Sequence, residues 1–324
     1  MGSAVPVLSD DFVPARGLTW THAQSLLGVW TRPQVNVPVR RERRETPDGD
    51  FVDLDIVEGV PGSPTVILLH GLEGSSASGY IRLMLRGLHT RGWSGIALNQ
   101  RGCSGEPNRQ AKSYSSGDYR DLSWLVKQLP LPRGEGRIFA VGFSLGASVL
   151  LNFLAQDEAA AKLTAAAAIS SPYDLAAGAR FLDSGGLIAK QYLAHFLPTM
   201  KAKALQKAPL FPADFDVDAI NAAKTMRDFD HVVTARLFGF GTAENYYAQC
   251  SAGPQLERIR TRTLLLSAHD DALAFPTIPM GTAKNPALDV LLTKYGGHVG
   301  FITGSPLKPE FWAEQRVLRW LEEQ

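Results

Sequence analysis

Apolar residues along this chain recur in three rhythms. From Phe51 to Val57 (FVDLDIV) apolar and polar positions alternate, the period of a strand with one buried face. The preceding stretch, Val39 to Thr46 (VRRERRET), is extended and rich in arginine, and Pro47-Asp48-Gly49 turns the chain between the two. The pair predicts a hairpin. Arg40, Arg41, Arg43 and Arg44 are expected on the solvated face of an edge strand, where charge discourages pairing with another molecule. The second rhythm is the short apolar run: TVILL at 65–69, GIAL at 95–98, IFAV at 138–141, Ala165 to Ile169 and TLLL at 263–266, with DVLLT at 289–293. Such runs suit strands covered on both faces. The third is helical, at Tyr80 to Thr90, Tyr119 to Gln128 and Ala147 to Ala155, with a last helix from about Pro309 to Glu322. This alternation predicts an α/β fold: a mostly parallel sheet with right-handed crossovers and helices on both faces.

Two segments break the alternation. Thr21 to Arg32 carries Leu26, Leu27 and Trp30 at helical spacing, just after Trp20, and predicts a helix packed on the body through those residues. Pro172 to about Leu256 is mostly helical and rich in alanine and aromatics, among them Phe181, Tyr192, Phe229, Phe238 and Tyr246. The expected organisation is therefore a leader (1–35), a first part of the core (36–171), a helical cap insertion (172–256) and a second part of the core (257–324).

Composition narrows the function. With 33 Lys+Arg against 32 Asp+Glu the net charge is +1, which argues against a dedicated nucleic-acid binder. Two cysteines, Cys103 and Cys250, make no disulfide framework. No secretory signal is visible and no apolar run reaches about 18 residues, so no membrane span is expected and a reducing cytoplasm is the expected location. The seven histidines show no metal spacing such as HExxH, so neither a metal nor a cofactor is expected. The oligomeric state is not indicated.

The chemistry gathers at Gly142-Phe143-Ser144-Leu145-Gly146, a G-x-S-x-G between the strand IFAV and the helix that follows. A turn this sharp leaves no room for side chains on its flanks, hence the glycines. It lifts the Ser144 hydroxyl beside a helix N-terminus, where partial positive charge favours a developing anion. A serine hydroxyl needs a base. His298 sits after the last predicted strand, in Tyr295-Gly296-Gly297-His298-Val299-Gly300-Phe301, with glycines that let the loop bend. The base needs an orienting carboxylate, and Asp270 and Asp271 both follow the strand TLLL at its carboxyl end. Asp271 fits better, because an Asp-x-x-x-(x)-Pro continuation ends at Pro276; Asp270 is the alternative, or a loop cap. The chain order Ser144, Asp271, His298 is that of an α/β-hydrolase. Oxyanion donors are expected from the backbone N–H groups of Leu145 and of Leu72, in the loop His70-Gly71-Leu72-Glu73-Gly74. His70 and Arg101 are expected to be structural, Arg101 through backbone carbonyls, and Cys103 lacks the setting of a nucleophile.

The ordered series TPDGDFVDLD, HGLEGSS, NQRGCSG, GFSLGA, AHDD and GGHVGF resembles the YheT-like branch of the α/β-hydrolase superfamily. These are carboxylesterases related to membrane-tethered animal and yeast acyl-ester hydrolases. The likeness runs from about Trp20 to the C-terminus, and SPYDL, FDHVVT, FGF and ENYYAQCS extend it through the insertion. It implies an α/β-hydrolase fold with a helical cap, Ser144 as nucleophile, Asp271 as acid and His298 as base. Two departures stand out: Ala272 where the family often has proline, and Tyr114-Ser115-Ser116-Gly117 where the family has Tyr-His-Ser-Gly. The expected activity is hydrolysis of short- to medium-chain acyl esters through an acyl-enzyme, with a small-molecule ester as partner. The alternatives are a lipid-ester or thioester hydrolase, an acyltransferase with the same triad, and a non-catalytic binding protein of the same fold.

Overall fold

The computed structural model describes residues 11–33, 35–129, 136–274, 278, 284–305 and 308–324. Eight strands form the central sheet: β1 (Arg40–Glu45), β2 (Phe51–Val57), β3 (Thr65–Leu69), β4 (Ser94–Asn99), β5 (Ile138–Phe143), β6 (Ala165–Ile169), β7 (Arg262–Ala268) and β8 (Leu288–Thr293). Their spatial order is β1-β2-β4-β3-β5-β6-β7-β8. The hairpin β1–β2 and the pair β2–β4 are antiparallel, and every other neighbour is parallel. The register aligns Leu69 with Gly142, Phe143 with Ile169 and Ile169 with Leu266, so the strands β3, β5, β6 and β7 end along one rim.

The period-two geometry of a strand sends alternate residues to opposite faces. In β3, Val66 and Leu68 join one core layer with Ile81, Met84, Leu85 and Leu88. Those four belong to α2 (Gly79–Thr90). Ile67 and Leu69 join the other layer with Leu122, Leu125, Leu150 and Phe153. These come from α3 (Arg120–Gln128) and α4 (Leu145–Gln156). After β6 the chain leaves the sheet for α5 (Leu175–Leu182), α6 (Leu187–Lys207), α7 (Val217–Ala222), α8 (Met226–Phe229), α9 (Ala235–Leu237) and α10 (Ala243–Cys250), and returns at β7. Between α8 and α9 the helix widens into one π turn, Asp230–Thr234, where the Ala235 N–H bonds the Asp230 carbonyl.

Four expectations need correction. β2 is buried almost throughout, not on one face only: Asp53 and Asp55 are each 2% exposed. Arg43 and Arg41 reach across from β1 and clamp them in two-pronged ion pairs at 2.8–2.9 Å. These two arginines are thus counter-charges to buried carboxylates as well as edge guards. Arg101 bonds carboxylates rather than carbonyls, those of Asp48 at 2.7 Å, Asp50 at 3.1 Å and Asp121 at 2.6 Å, tying the hairpin turn to α3. The last helix, α11 (Trp312–Glu322), begins later than expected. Lys308–Phe311 (β10) instead pairs with Ile302–Ser305 (β9) in a small hairpin. Finally, the leader helix, α1 (Thr21–Thr31), does not pack through Trp30, which is 72% exposed. Among its described residues Leu26 and Leu27 are partly buried against the body, as expected, and Gln24, Ser25 and Gly28 are buried, with Arg32 just beyond its end.

Candidate active site

Ser144 stands at the carboxyl end of β5 with φ of 52°, the left-handed conformation that non-glycine residues seldom hold. Its N–H bonds the Ile169 carbonyl at 2.9 Å. The flanking glycines answer two separate collisions. A Cβ on Gly142 would lie 2.5 Å from the Gly146 carbonyl, and one on Gly146 would lie 2.5 Å from the His70 carbonyl and 2.6 Å from that of Leu69. Close approach continues at Gly71, where a Cβ would meet that of Ser144 at 3.1 Å.

The three residues expected to act together do meet. The Ser144 hydroxyl lies 2.8 Å from His298 Nε2. His298 Nδ1 lies 3.0 Å from each oxygen of Asp271. The carboxylate neighbour places the ring proton on Nδ1, leaving Nε2 to accept from the serine. Asp271 is 1% exposed and also accepts the N–H groups of Leu273 and Ala274, both at 3.0 Å. Pro276, on which the preference for Asp271 rested, lies outside the described residues. Asp270 takes the other role foreseen for it: it caps the histidine loop by accepting the Gly297 N–H at 2.8 Å.

The loop that offers Leu72 is pinned from several sides. His70 receives the Gln100 N–H on Nε2 at 3.0 Å, so its own proton sits on Nδ1 and bonds the Gly71 carbonyl at 2.8 Å. Burial holds its pKa down to about 4, keeping the ring neutral. Tyr80 accepts the Gly71 N–H at 3.0 Å, and Tyr114 accepts the Glu73 N–H at 2.9 Å. Leu145 opens α4, so its N–H has no acceptor within the helix. Leu72 and Leu145 both line the cavity that reaches Ser144 and His298. Cys103 is buried, with its thiol pushed up by that burial, and lies 3.6 Å from Lys203 Nζ.

The sequence reading missed what holds the histidine. Gly296, Gly297, Val299 and Phe301 all have positive φ, a bent loop that leaves backbone groups in need of partners. Ser170 accepts the Val299 N–H at 3.0 Å. The rest comes from the leader. Ser25 Oγ accepts the His298 N–H at 2.8 Å, and Gln24 Oε1 accepts the Ile302 N–H at 2.7 Å. Arg32 donates to the Val299 carbonyl at 2.5 Å and to Glu314 at 2.9 Å, an ion pair with both side chains 3% exposed. A Cβ on Gly28 would lie 3.0 Å from the Gly300 Cα, so helix and loop touch backbone to backbone. The available signal was a helix face, positions 24, 25 and 28, that carries Gln, Ser and Gly and no apolar side chain.

Above the rim, under the cap, is a cavity of about 180 Å³. Its walls are mostly apolar, with Leu182, Phe196, Met200, Phe229, Val233 and Leu237 beyond the residues already named. Among the described residues no helix is long and apolar enough to cross a membrane.

Comparison with known proteins follows the same line. The model of the alpha/beta hydrolase family matches residues 66–313. The chain is 37% identical over 319 residues to the protein named "Putative esterase YheT" of Escherichia coli (strain K12), covering 97% of this chain and 93% of that one. It is 30% identical to the Mus musculus protein named phospholipase ABHD3, over 92% of this chain and 75% of that one. Among solved structures, an esterase of Pyrococcus furiosus superposes with a TM-score of 0.55 at 17% identity, covering 100% of this chain and 98% of that one, a likeness of fold. The chain belongs to the alpha/beta hydrolase family, in its esterase and lipase group, and is an enzyme.

Proposed function

We propose that the chain hydrolyses carboxylic esters with Ser144 as nucleophile, His298 as base and Asp271 as the carboxylate that orients it. His298 Nε2 takes the Ser144 proton as the oxygen attacks the ester carbonyl. Asp271 holds the proton on Nδ1 and stabilises the imidazolium. The N–H groups of Leu72 and Leu145 receive the oxyanion. The alcohol leaves with the proton from His298, and a water deprotonated by the same nitrogen then releases the acid. The observation that carries this reading is the unbroken contact chain Ser144 Oγ, His298 Nε2, His298 Nδ1, Asp271, at 2.8 and 3.0 Å, opening onto an apolar cavity.

Short- to medium-chain acyl groups suit the cavity. Its volume of about 180 Å³ exceeds the roughly 150 Å³ apolar cavity that accommodates benzene, leaving space for a few more carbons. Lipid esters are the second reading, favoured by relatives named phospholipase and monoacylglycerol lipase. The test is labelling with a fluorophosphonate, followed by mapping of the modified residue and a panel of esters of graded acyl length. Modification at Ser144 is expected, with turnover greatest for short and medium chains. Modification elsewhere overturns the assignment of the nucleophile.

A further inference from the structure

The cavity has two polar patches, and they differ in how fully their groups are committed. In the first, Lys203 bonds Glu73 at 3.0 Å and Tyr114 donates to the same carboxylate oxygen at 3.0 Å. The nearby Lys207 spends its ammonium on Asn108, the Gln110 carbonyl at 2.8 Å and Ser113 at 2.9 Å. The second patch centres on Asp230, at the head of the π turn and 7% exposed. Tyr247 donates to one of its oxygens at 2.8 Å and Thr234 to the other at 2.8 Å. No cation bonds it among the described residues. An ionised carboxylate offers roughly four acceptor positions, so about two stay open. Burial pushes its pKa up to about 6, which leaves it mostly ionised at pH 7.5.

Ser115 lines the same cavity. It is 2% exposed, and its hydroxyl has no hydrogen-bond partner among the described residues. Beside it, Ser116 N–H bonds the Tyr246 hydroxyl at 3.1 Å, which anchors this stretch to α10, the helix that carries Tyr247. The cavity wall therefore holds an acceptor with spare capacity and an uncommitted hydroxyl that can donate. Buried polar groups left in this state cost free energy until something completes them. The complement is a group that gives one hydrogen bond and takes one. An aliphatic hydroxyl does both and is cheap to desolvate. An ammonium costs far more to bring into an apolar cavity.

We infer that Asp230 and Ser115 form a subsite for a hydroxyl carried on the acyl chain, so that the preferred substrates are esters of hydroxylated fatty acids. Phe229 and Val233, on either side of Asp230 in the cap, line the same cavity and fit the hydrocarbon that carries the hydroxyl. The proposal rests on the ester-hydrolase reading above.

The experiment compares p-nitrophenyl esters of six- and eight-carbon acids with analogues bearing a hydroxyl at each position from C3 outward. Two further arms are glycol monoesters of the plain acids and the corresponding amino-acyl esters. The readout is the ratio of kcat/KM between the substituted and the plain ester for the same protein, with active sites counted by fluorophosphonate. That ratio cancels losses of folded protein in a variant. In the wild-type chain at least one hydroxyl position is expected to exceed its parent by roughly tenfold, the scale of one hydrogen bond to a charged group. Asp230→Asn and Ser115→Ala are each expected to bring the ratio down severalfold. A ratio near one at every position overturns the subsite while plain esters are still turned over at Ser144. So does a ratio that both substitutions leave unmoved, a preference confined to the glycol monoesters, or a stronger preference for the amino-acyl esters. If no ester is turned over and Ser144 stays unlabelled, the hydrolase reading itself falls and takes the subsite with it.

Discussion

The two sides of the candidate site are built in opposite ways. The nucleophile side is local: five consecutive residues supply the strained serine, the helix start and both glycines that the turn requires. The histidine side is a convergence of distant segments. Residues from the leader, from the end of β6, from the loop after β7 and from α11 meet on the loop 296–301. The leader lies outside residues 66–313, the span matched by the family model. The nucleophile turn lies inside that span, so the family model registers one side of the site and not the leader's part in the other. This contrast makes the nucleophile side sensitive to single steric changes, and the histidine side tolerant, because several hydrogen bonds share the load.

Removing reacting groups should have the largest effect on either side. Ser144→Ala is expected to lower kcat by about 10³-fold or more, and Asp271→Asn by a similar factor, because members of such a unit lose nearly everything singly. Asp270→Asn, which weakens only one cap on the loop, should cost tenfold or less. Steady-state kinetics on one ester decides it: equal losses for the two aspartates would mean that Asp270 and not only Asp271 acts on the histidine. Next comes Gly146→Ala. The new methyl would point at two backbone carbonyls of the β3 end, which cannot swing aside as a side chain can. A loss of roughly 2–4 kcal/mol in unfolding free energy is expected, read from urea denaturation. A change below 0.5 kcal/mol would show that the turn is looser than its contacts imply.

These differences follow how legible each side was. The alternation of strands and helices, the nucleophile turn and the order of the three residues are written in contiguous patterns, which periodicity and turn chemistry reveal. The cap could be recognised as helical, but not its π turn, since a one-residue widening leaves no periodic trace. Asp53 and Asp55 looked like the outward face of a strand because alternation records polarity, and a buried ion pair with Arg43 and Arg41 has the same polarity as an exposed face. The leader was misread for a related reason. Leu26 and Leu27 do pack against the body, but Trp30 faces outward, and the helix docks also through Gln24, Ser25 and Arg32 because the bent loop beneath it presents backbone groups that need partners.

The histidine side can be probed by a smaller change. Ser25→Ala removes the acceptor of the His298 N–H without altering any reacting atom. A drop in kcat of about three- to tenfold is expected, with KM little changed, since the imidazole would be held in its productive position for less of the time. Ser25→Thr, which keeps the hydroxyl, should restore most of it. An unchanged kcat would mean that Ser170, Asp270 and Arg32 suffice alone, and that the leader contributes stability rather than position.

The smallest expected effect separates the two sides by pH. His70, on the nucleophile side, binds its proton less tightly when folded, with burial holding its pKa down to about 4 against an ordinary 6.5. Protonation therefore favours the unfolded chain. The stabilisation is full above about pH 6.5 and is lost as pH falls toward 4, reaching at most about 3 kcal/mol at ~1.4 kcal/mol per pH unit. Asp230 works with the opposite sign. Burial raises its pKa to about 6, so it contributes a gain in stability as pH falls below that value. The wild-type profile contains both slopes, and the difference between wild type and His70→Gln isolates one. Glutamine can still accept from the Gln100 N–H and donate to the Gly71 carbonyl, but it takes up no proton. Urea midpoints at pH 7 and pH 4.5 should fall further in the wild type than in His70→Gln. Protection against hydrogen exchange at Leu72 to Gly74, taken relative to the intrinsic rate at each pH, should drop on acidification in the wild type before it does at the loop 296–301. Parallel profiles for the two proteins would show that the neutral ring of His70 does not hold the Leu72 loop, and that the nucleophile side is fastened by Tyr80 and Tyr114 instead.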